Sequence, residues 1–139
     1  MMVDNPSPTA HCKLMLSTTI QVALGGAIGA SLRFLTGVGI LRLVGSSFPL
    51  AIFGINVLGS LLMGMFVVFA AHRGFTQLNP FVLTGLLGGF TTFSAFSLEA
   101  VSLFERGAFG LAVLYVSLSV GLSIGGLVLG LIIARGIWA

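Results

Sequence analysis

Four long stretches of this chain contain no charged residue, and this pattern constrains the fold more than any other feature. A helix needs about 20 mostly apolar residues to cross the hydrocarbon core of a bilayer. The uncharged stretches are residues 14–32, which continue as an apolar segment past Arg33 to Leu41, and then 49–71, 74–98 and 107–134. The pattern predicts an all-α membrane protein with four transmembrane helices.

The composition excludes the main alternatives. Charged residues make up 6% of the chain, against about 25% in typical soluble domains, so a soluble monomer could not cover its surface. The apolar content of 57% excludes disorder. The basic residues are scattered singly and form no clustered patch of the kind that binds phosphates, so no nucleic-acid partner is predicted.

The chain is predicted to have one domain. Residues 1–13 are polar and contain two prolines, and they are interpreted as a flexible N-terminal tail. The connections at 42–48, 72–79 and 105–107 are too short for a soluble domain and place neighbouring helices antiparallel. Residues 14–139 are therefore predicted to form a single four-helix transmembrane domain.

The distribution of charge between the loops leaves the orientation open. With this topology, one side of the membrane holds Lys13, Arg73 and Arg135, and the other holds Arg42 and Arg106. This bias is small under the positive-inside rule. The chain either inserts in both orientations, which would permit an antiparallel homodimer, or takes one orientation from weak cues. A dimer is also favoured because four helices leave little room for an enclosed path.

Glycines at helical spacing predict close helix packing. The pairs Gly25–Gly29, Gly121–Gly125 and Gly126–Gly130 have the GxxxG spacing that lets helix backbones approach in lipid. Packing alone accounts for nearly all of them.

The third span contains an unusual centre. Gly88-Gly89-Phe90-Thr91-Thr92 combines poor helix formers with hydroxyls that compete for backbone hydrogen bonds. A helix break near mid-membrane is expected, and such a break must be buried or face a water-filled cavity. It would expose carbonyl oxygens to a hard cation, which two antiparallel copies could share on a two-fold axis. The alternative is a packing contact without an ion.

Polar and aromatic side chains within the spans are the candidate functional residues. Asn56 offers amide donors to a solute, or alternatively one interhelical hydrogen bond. Phe93 and Phe96 share a helix face, with Ser97 nearby, and either pack against their surroundings or present electropositive ring edges to an anion. The fourth span adds hydroxyls that either bond to their own backbone or face a pore: Tyr115, Ser117, Ser119 and Ser123.

Two charged residues in or near the spans are further candidates. Arg33 could attract anions at a vestibule and Glu99 lies near a span end, although snorkelling and structural hydrogen bonding are the alternatives.

No nucleophile is paired with a base, and no metal-ligand cluster or phosphate-binding loop is present in the sequence. The chain is therefore not predicted to be an enzyme, and no organic cofactor is expected.

Three ordered motifs resemble the Fluc (CrcB) fluoride channel family. They are Gly25-Gly26-Ala27-Ile28-Gly29-Ala30-Ser31-Leu32-Arg33-Phe34, Asn56-Val57-Leu58-Gly59-Ser60 and Gly88-Gly89-Phe90-Thr91-Thr92-Phe93-Ser94. The segment from Tyr115 to Gly130 is similar to the fourth helix of the family. The chain differs from the usual family pattern at Ala51-Ile52, where Gly-Thr is common, and at Ala95, where a hydroxyl is common.

The resemblance implies an antiparallel, dual-topology homodimer with two pores in the inner (plasma) membrane. Such a multi-pass channel exports fluoride passively and selectively, which lowers cytoplasmic fluoride after its entry as neutral HF.

The resemblance also implies roles for individual residues. Phe93 and Phe96 would line the pore, Asn56 would coordinate fluoride, and Ser119 would be the pore serine of the fourth helix. Gly88 and Thr91 would give backbone carbonyls to a structural Na⁺ at the dimer interface. Arg33 and Glu99 would lie at the pore entrances. The remaining candidates for the fluoride path are Thr92, Ser97 and Tyr115.

Two other functions are compatible with the size of the chain. A proton-coupled exporter of the small multidrug resistance type is also a dual-topology dimer, but it relies on a membrane-buried Glu in its first helix, and this first span contains no acid. A non-transporting membrane assembly subunit would tolerate replacement of Asn56, Phe93 and Phe96 by Leu.

Overall fold

The computed structural model describes residues 8–44 and 49–138, with side chains described over 12–43 and 49–138. Within these ranges the structure is helical. Helix α1 spans Pro8–Val44 and α2 spans Leu50–Arg73, and a short 3₁₀ turn follows at Thr76–Leu78. The third span consists of a π-helical segment at Pro80–Leu87, a single α-turn at Gly88–Phe90 (α3) and helix α4 at Phe93–Glu105. Helix α5 spans Phe109–Trp138.

Four spans long and apolar enough to cross a membrane lie within the described residues: Cys12–Leu43, Leu50–Arg73, Thr76–Glu105 and Phe109–Trp138. This confirms the predicted all-α class and the number of spans. The start of α1 at Pro8 makes residues 8–13 helical, although they were assigned to the tail, while residues 1–7 lie outside the described ranges. The connection between α1 and α2 falls largely on residues 45–48, which are also outside them.

Each of the other two connections contains a glycine with positive φ. Gly74 (φ 72°) terminates α2 by donating its N–H to the Ala70 carbonyl, and Gly107 (φ 75°) turns the chain between α4 and α5. L-residues with a side chain seldom adopt this backbone conformation, so glycine is required for such tight reversals.

Close backbone contacts join spans that run in the same direction, α1 with the third span and α2 with α5. Gly25 and Gly29 of α1 pack against the carbonyls of Phe81 and Leu86, so a Cβ at either glycine would collide with the third span. Gly64 of α2 and Gly130 of α5 make equivalent contacts with the carbonyls of Leu127 and Leu61. Alternate spans are therefore neighbours, and consecutive spans run antiparallel as expected.

The GxxxG prediction is met unevenly. Gly25–Gly29 and Gly126–Gly130 lie at backbone contacts between spans, whereas a Cβ at Gly121 or Gly125 would meet no atom within 4 Å. The Gly121–Gly125 pair therefore makes no close contact with the other described helices of this chain.

Candidate functional site

The helix break predicted in the third span lies at Thr91 and Thr92. Thr91 (φ −78°, ψ 158°) and Thr92 (φ −154°, ψ 121°) are extended, between the end of α3 at Phe90 and the start of α4 at Phe93. Two extended residues leave backbone groups without their helical partners, and each such group is costly inside a membrane unless another partner satisfies it. The side chains around the break therefore determine whether it is stable.

Asn56 of α2 bonds both backbone groups of Thr92. Its Nδ2 donates to the Thr92 carbonyl at 3.0 Å, and its Oδ1 accepts from the Thr92 N–H at 2.8 Å. This reciprocal pair replaces two hydrogen bonds that a continuous helix would have made. The interhelical bonding considered for Asn56 is thus present, and the second hydrogen of Nδ2 is additional donor capacity.

Thr92 also starts the next helix. Its Oγ1 accepts from the Ala95 N–H at 3.2 Å, which is an N-cap interaction, and it lies 3.2 Å from the Ser94 Oγ. Thr91 contributes differently, since its Oγ1 donates back to the Leu87 carbonyl at 3.0 Å. Thr91 therefore helps to end the helix before the break, and Thr92 caps the start of the helix after it.

Gly59 on α2 makes room for this arrangement because glycine has no side chain. A Cβ on Gly59 would collide with the Thr91 methyl group and would lie 3.3 Å from the Phe90 ring. Gly59 thus lets α2 approach the break closely enough for Asn56, three residues earlier on the same face, to reach Thr92.

The break opens into a groove of about 310 Å³ between α2, α4 and α5. Its polar lining residues share one property, a neutral hydrogen-bonding side chain: Asn56, Ser60, Thr91, Thr92, Ser119 and Ser123. Its apolar lining includes the rings of Phe93 and Phe96. None of the described lining residues is charged, so the groove offers them as donors to a solute without a fixed charge that would trap it.

The two phenyl rings have different environments. Their centroids are 5.4 Å apart, and Phe96 packs on the fully buried Tyr115 at a further 5.4 Å. Phe96 is 8% exposed, whereas Phe93 is 78% exposed. One ring is therefore held by the core of the chain, and the other projects from its surface.

Helix α5 presents its hydroxyls to two different surfaces. Ser119 is buried and lies one turn after the buried Tyr115 on the same helix face. Ser123 continues the same face along the groove. Ser117 lines a separate apolar cavity with residues of α4, so it does not belong to the groove.

The remaining candidates are not among the described residues that line the groove. The Ser97 Oγ donates back to the Phe93 carbonyl at 2.9 Å. Glu99 is half-buried and close enough to Tyr115 to interact with it electrostatically. Arg33 is half-buried on α1, and Gly88 lies in the α-turn before the break. Of the candidates, the structure brings Asn56, Thr92, Phe93, Phe96 and Ser119 together in the lining of one groove.

Sequence reasoning named Ser123 only as one of several hydroxyls that could face a pore, and it named Ser60 only within the second-helix motif. Ser60 follows Asn56 by four residues, and Ser123 follows Ser119 by four, so helical spacing was a usable signal for both. The capping role of Thr92 was also missed, although a threonine before a helical run is a typical N-cap signal.

We expect the Thr92→Val variant to lower the free energy of unfolding by about 1 kcal/mol, because it removes the oxygen that caps α4. Thr92→Ser keeps that oxygen and is the matched control, with stability close to the parent chain. Unfolding in mixed micelles titrated with SDS measures both. Equal stability of the Val and Ser variants would show that the cap does not support the break.

Comparison with known proteins places the chain in a family. Residues 20–131 match the family model described as "CrcB-like protein, Camphor Resistance (CrcB)". The chain is 66% identical to a fluoride-specific ion channel FluC from Ruegeria sp. (strain TM1040), over 88% of this chain and 98% of that one. It is 64% identical to the protein of the same name from Roseobacter denitrificans, over 88% and 99%, and 47% identical to that from Agrobacterium fabrum, over 84% and 95%. The chain belongs to the CrcB family.

Proposed function

We propose that this multi-pass membrane protein is a fluoride channel. The observation that carries the proposal is the groove at the helix break, where neutral donors and two phenyl rings converge and no residue of the described lining is charged. The relatives from Ruegeria and Roseobacter are named fluoride-specific ion channels and align over nearly their whole length. A channel of this kind is not an enzyme, and its cargo is the ion itself.

The donors in the groove suit a small, strongly hydrated anion. Fluoride loses its water only where other donors replace it, and it leaves again only where none of them binds too tightly. The second N–H of Asn56 and the hydroxyls of Ser119 and Ser123 are such donors. Because they are neutral, they stabilise the ion by hydrogen bonding without the deep well of a buried lysine.

The phenyl rings supply the remaining contacts. A ring carries partial positive charge at its edge, so Phe93 and Phe96, with centroids 5.4 Å apart, can present edges to an anion in the groove. Stacking of Phe96 on Tyr115 holds one of these edges in place. Thr92 lines this path, Ser97 and Tyr115 lie beside it, and Arg33 and Glu99 would lie at its entrances.

The functional unit is an antiparallel, dual-topology homodimer. Phe93 is 78% exposed in the single chain, which a second copy would cover. The loops that carry Lys13, Arg73 and Arg135 are only slightly more basic than those that carry Arg42 and Arg106, which supports insertion in both orientations. Two such chains related by an axis in the membrane plane form two equivalent fluoride paths.

The break also fits a structural Na⁺ on that axis. In a continuous helix, the Gly88 carbonyl would accept from the Thr92 N–H and the Thr91 carbonyl from the Ala95 N–H. Both donors are engaged elsewhere, by Asn56 Oδ1 and by Thr92 Oγ1. Backbone carbonyls are suitable ligands for a hard cation, and a two-fold copy would double their number. The bound ion would lend positive charge to the dimer interface.

The channel belongs in the inner (plasma) membrane, where passive export lowers the fluoride concentration of the cytoplasm. Fluoride enters as neutral HF and dissociates inside, so a selective leak for the anion relieves the trapped ion without an energy source. A proton-coupled exporter lacks support, because no acid is found in the described part of α1. A non-transporting subunit would keep its function when Asn56, Phe93 and Phe96 are replaced by Leu, and this distinguishes it from a channel.

Liposomes that contain the purified protein should release fluoride rapidly and chloride negligibly. We expect Phe96→Leu to slow fluoride efflux by about ten-fold, since losing one ring contact worth roughly 1.4 kcal/mol changes a rate by that factor. Phe104→Leu is the matched control, because Phe104 is on the same helix but lines a different cavity.

A fluoride-selective electrode and a chloride electrode measure the two fluxes. Absence of fluoride efflux from folded, reconstituted protein would contradict the channel. Equal fluoride rates in the Phe96 and Phe104 variants would instead contradict the path proposed through the groove.

Native mass spectrometry of the protein released from micelles should show a dimer that retains one Na⁺. Fusion of a topology reporter at the C-terminus should give signal on both sides of the membrane. A monomeric mass would contradict the dimer, a sodium-free dimer would contradict the ion site, and a one-sided signal would contradict dual topology.

A further inference from the structure

A second groove, distant from the helix break, lies at the other end of α2. It has a volume of about 260 Å³ and lies between the C-terminal half of α2, the end of α5 and the third span. Its lining is entirely apolar and includes Leu62, Met65, Phe66, Phe69, Val82 and Trp138. None of these residues lines the groove assigned to fluoride. The two grooves therefore serve different ligands.

Aromatic rings form one wall of this apolar groove. The Phe69 ring packs against Trp138 with centroids 5.2 Å apart, against Phe75 at 5.9 Å and against Phe66 at 6.1 Å. Trp138 lies at the very end of α5, where tryptophan is favoured at the boundary between acyl chains and headgroups. The groove thus extends from the hydrocarbon region to the membrane surface.

Two exposed arginines each lie one helical turn from a residue of the aromatic wall. Arg73 is one helical turn after Phe69 on α2, and Arg135 is one turn before Trp138 on α5. Lys13 and His72 belong to the same end of the molecule, because α1 starts and α2 ends there. The described acids, Glu99 and Glu105, lie in α4 beyond the break and face the opposite end. This end is therefore electropositive.

We propose that this groove binds an anionic phospholipid, with an acyl chain along the aromatic wall and the phosphate between Arg73 and Arg135. An acyl chain matches the apolar lining, and the guanidinium groups select a negative headgroup over a zwitterionic one. The proposal is independent of fluoride conduction.

Trp138 is the only tryptophan in the chain, so its fluorescence reports the lipid in this groove. The protein is reconstituted in liposomes of phosphatidylcholine with a minor fraction of phosphatidylglycerol, and either lipid carries brominated acyl chains that quench tryptophan. We expect brominated phosphatidylglycerol to quench as if enriched at least about five-fold over its mole fraction, the factor that about 1 kcal/mol from a single cation would produce.

The combined Arg73→Gln and Arg135→Gln variant should bring this enrichment close to the bulk mole fraction. Arg42→Gln, which removes an exposed arginine at the opposite end, is the matched control and should keep the enrichment. Circular dichroism verifies that each variant remains helical, and the parent protein alone already decides the main point.

Quenching of the parent protein by phosphatidylglycerol in proportion to its mole fraction would overturn the proposal. Resistance of Trp138 to quenching by either lipid would overturn it as well, because a second copy of the chain would then cover the groove. Equal loss of enrichment in the Arg42 variant would show that only the overall charge of the protein attracts the lipid.

Discussion

The two hydrogen bonds between the Asn56 amide and the Thr92 backbone are the constraint on which the rest of this structure depends. Water cannot satisfy a broken helix at the centre of a bilayer, so each freed N–H or C=O group needs a partner within the protein. The Asn56 side chain matches the acceptor and the donor of one residue, the Thr92 carbonyl at 3.0 Å and the Thr92 N–H at 2.8 Å. A single side chain of α2 thus stabilises two extended residues of the neighbouring span.

The break determines how the residues and helices around it are arranged. Thr92 caps α4, which fixes the direction in which Phe93 and Phe96 leave the helix. Phe96 then packs on Tyr115 of α5, and the groove forms where α2, α4 and α5 meet. Glycine contacts between α1 and the third span and between α2 and α5 hold these helices close enough for the arrangement. The local backbone irregularity therefore creates the site, and tight helix packing makes the irregularity possible.

Much of this could be predicted from the sequence, for identifiable physical reasons. Spans follow from the scarcity of charge, and the break follows from Gly88-Gly89 and the two threonines, because hydropathy and helix propensity act locally. The partner of Asn56 could not be predicted, since it depends on how α2 and the third span are positioned in space. Nor could the π-helical winding of Pro80–Leu87, or the open position of Gly121 and Gly125, because glycine spacing shows that contact is possible without identifying a partner.

The central claim is that a neutral amide at position 56 both holds the break and donates to fluoride, and fluoride efflux from liposomes with the Asn56→Asp variant tests it most directly. The carboxylate keeps the acceptor for the Thr92 N–H but replaces the donor by a second, negatively charged acceptor. Asn79→Asp, at the start of the third span, is the matched control. The account predicts that Asn56→Asp remains folded by size-exclusion chromatography and loses fluoride efflux by at least about ten-fold, the effect of losing roughly 1.4 kcal/mol from one donor, while Asn79→Asp conducts normally. Fluoride efflux at the parent rate in a folded Asn56→Asp protein would contradict it.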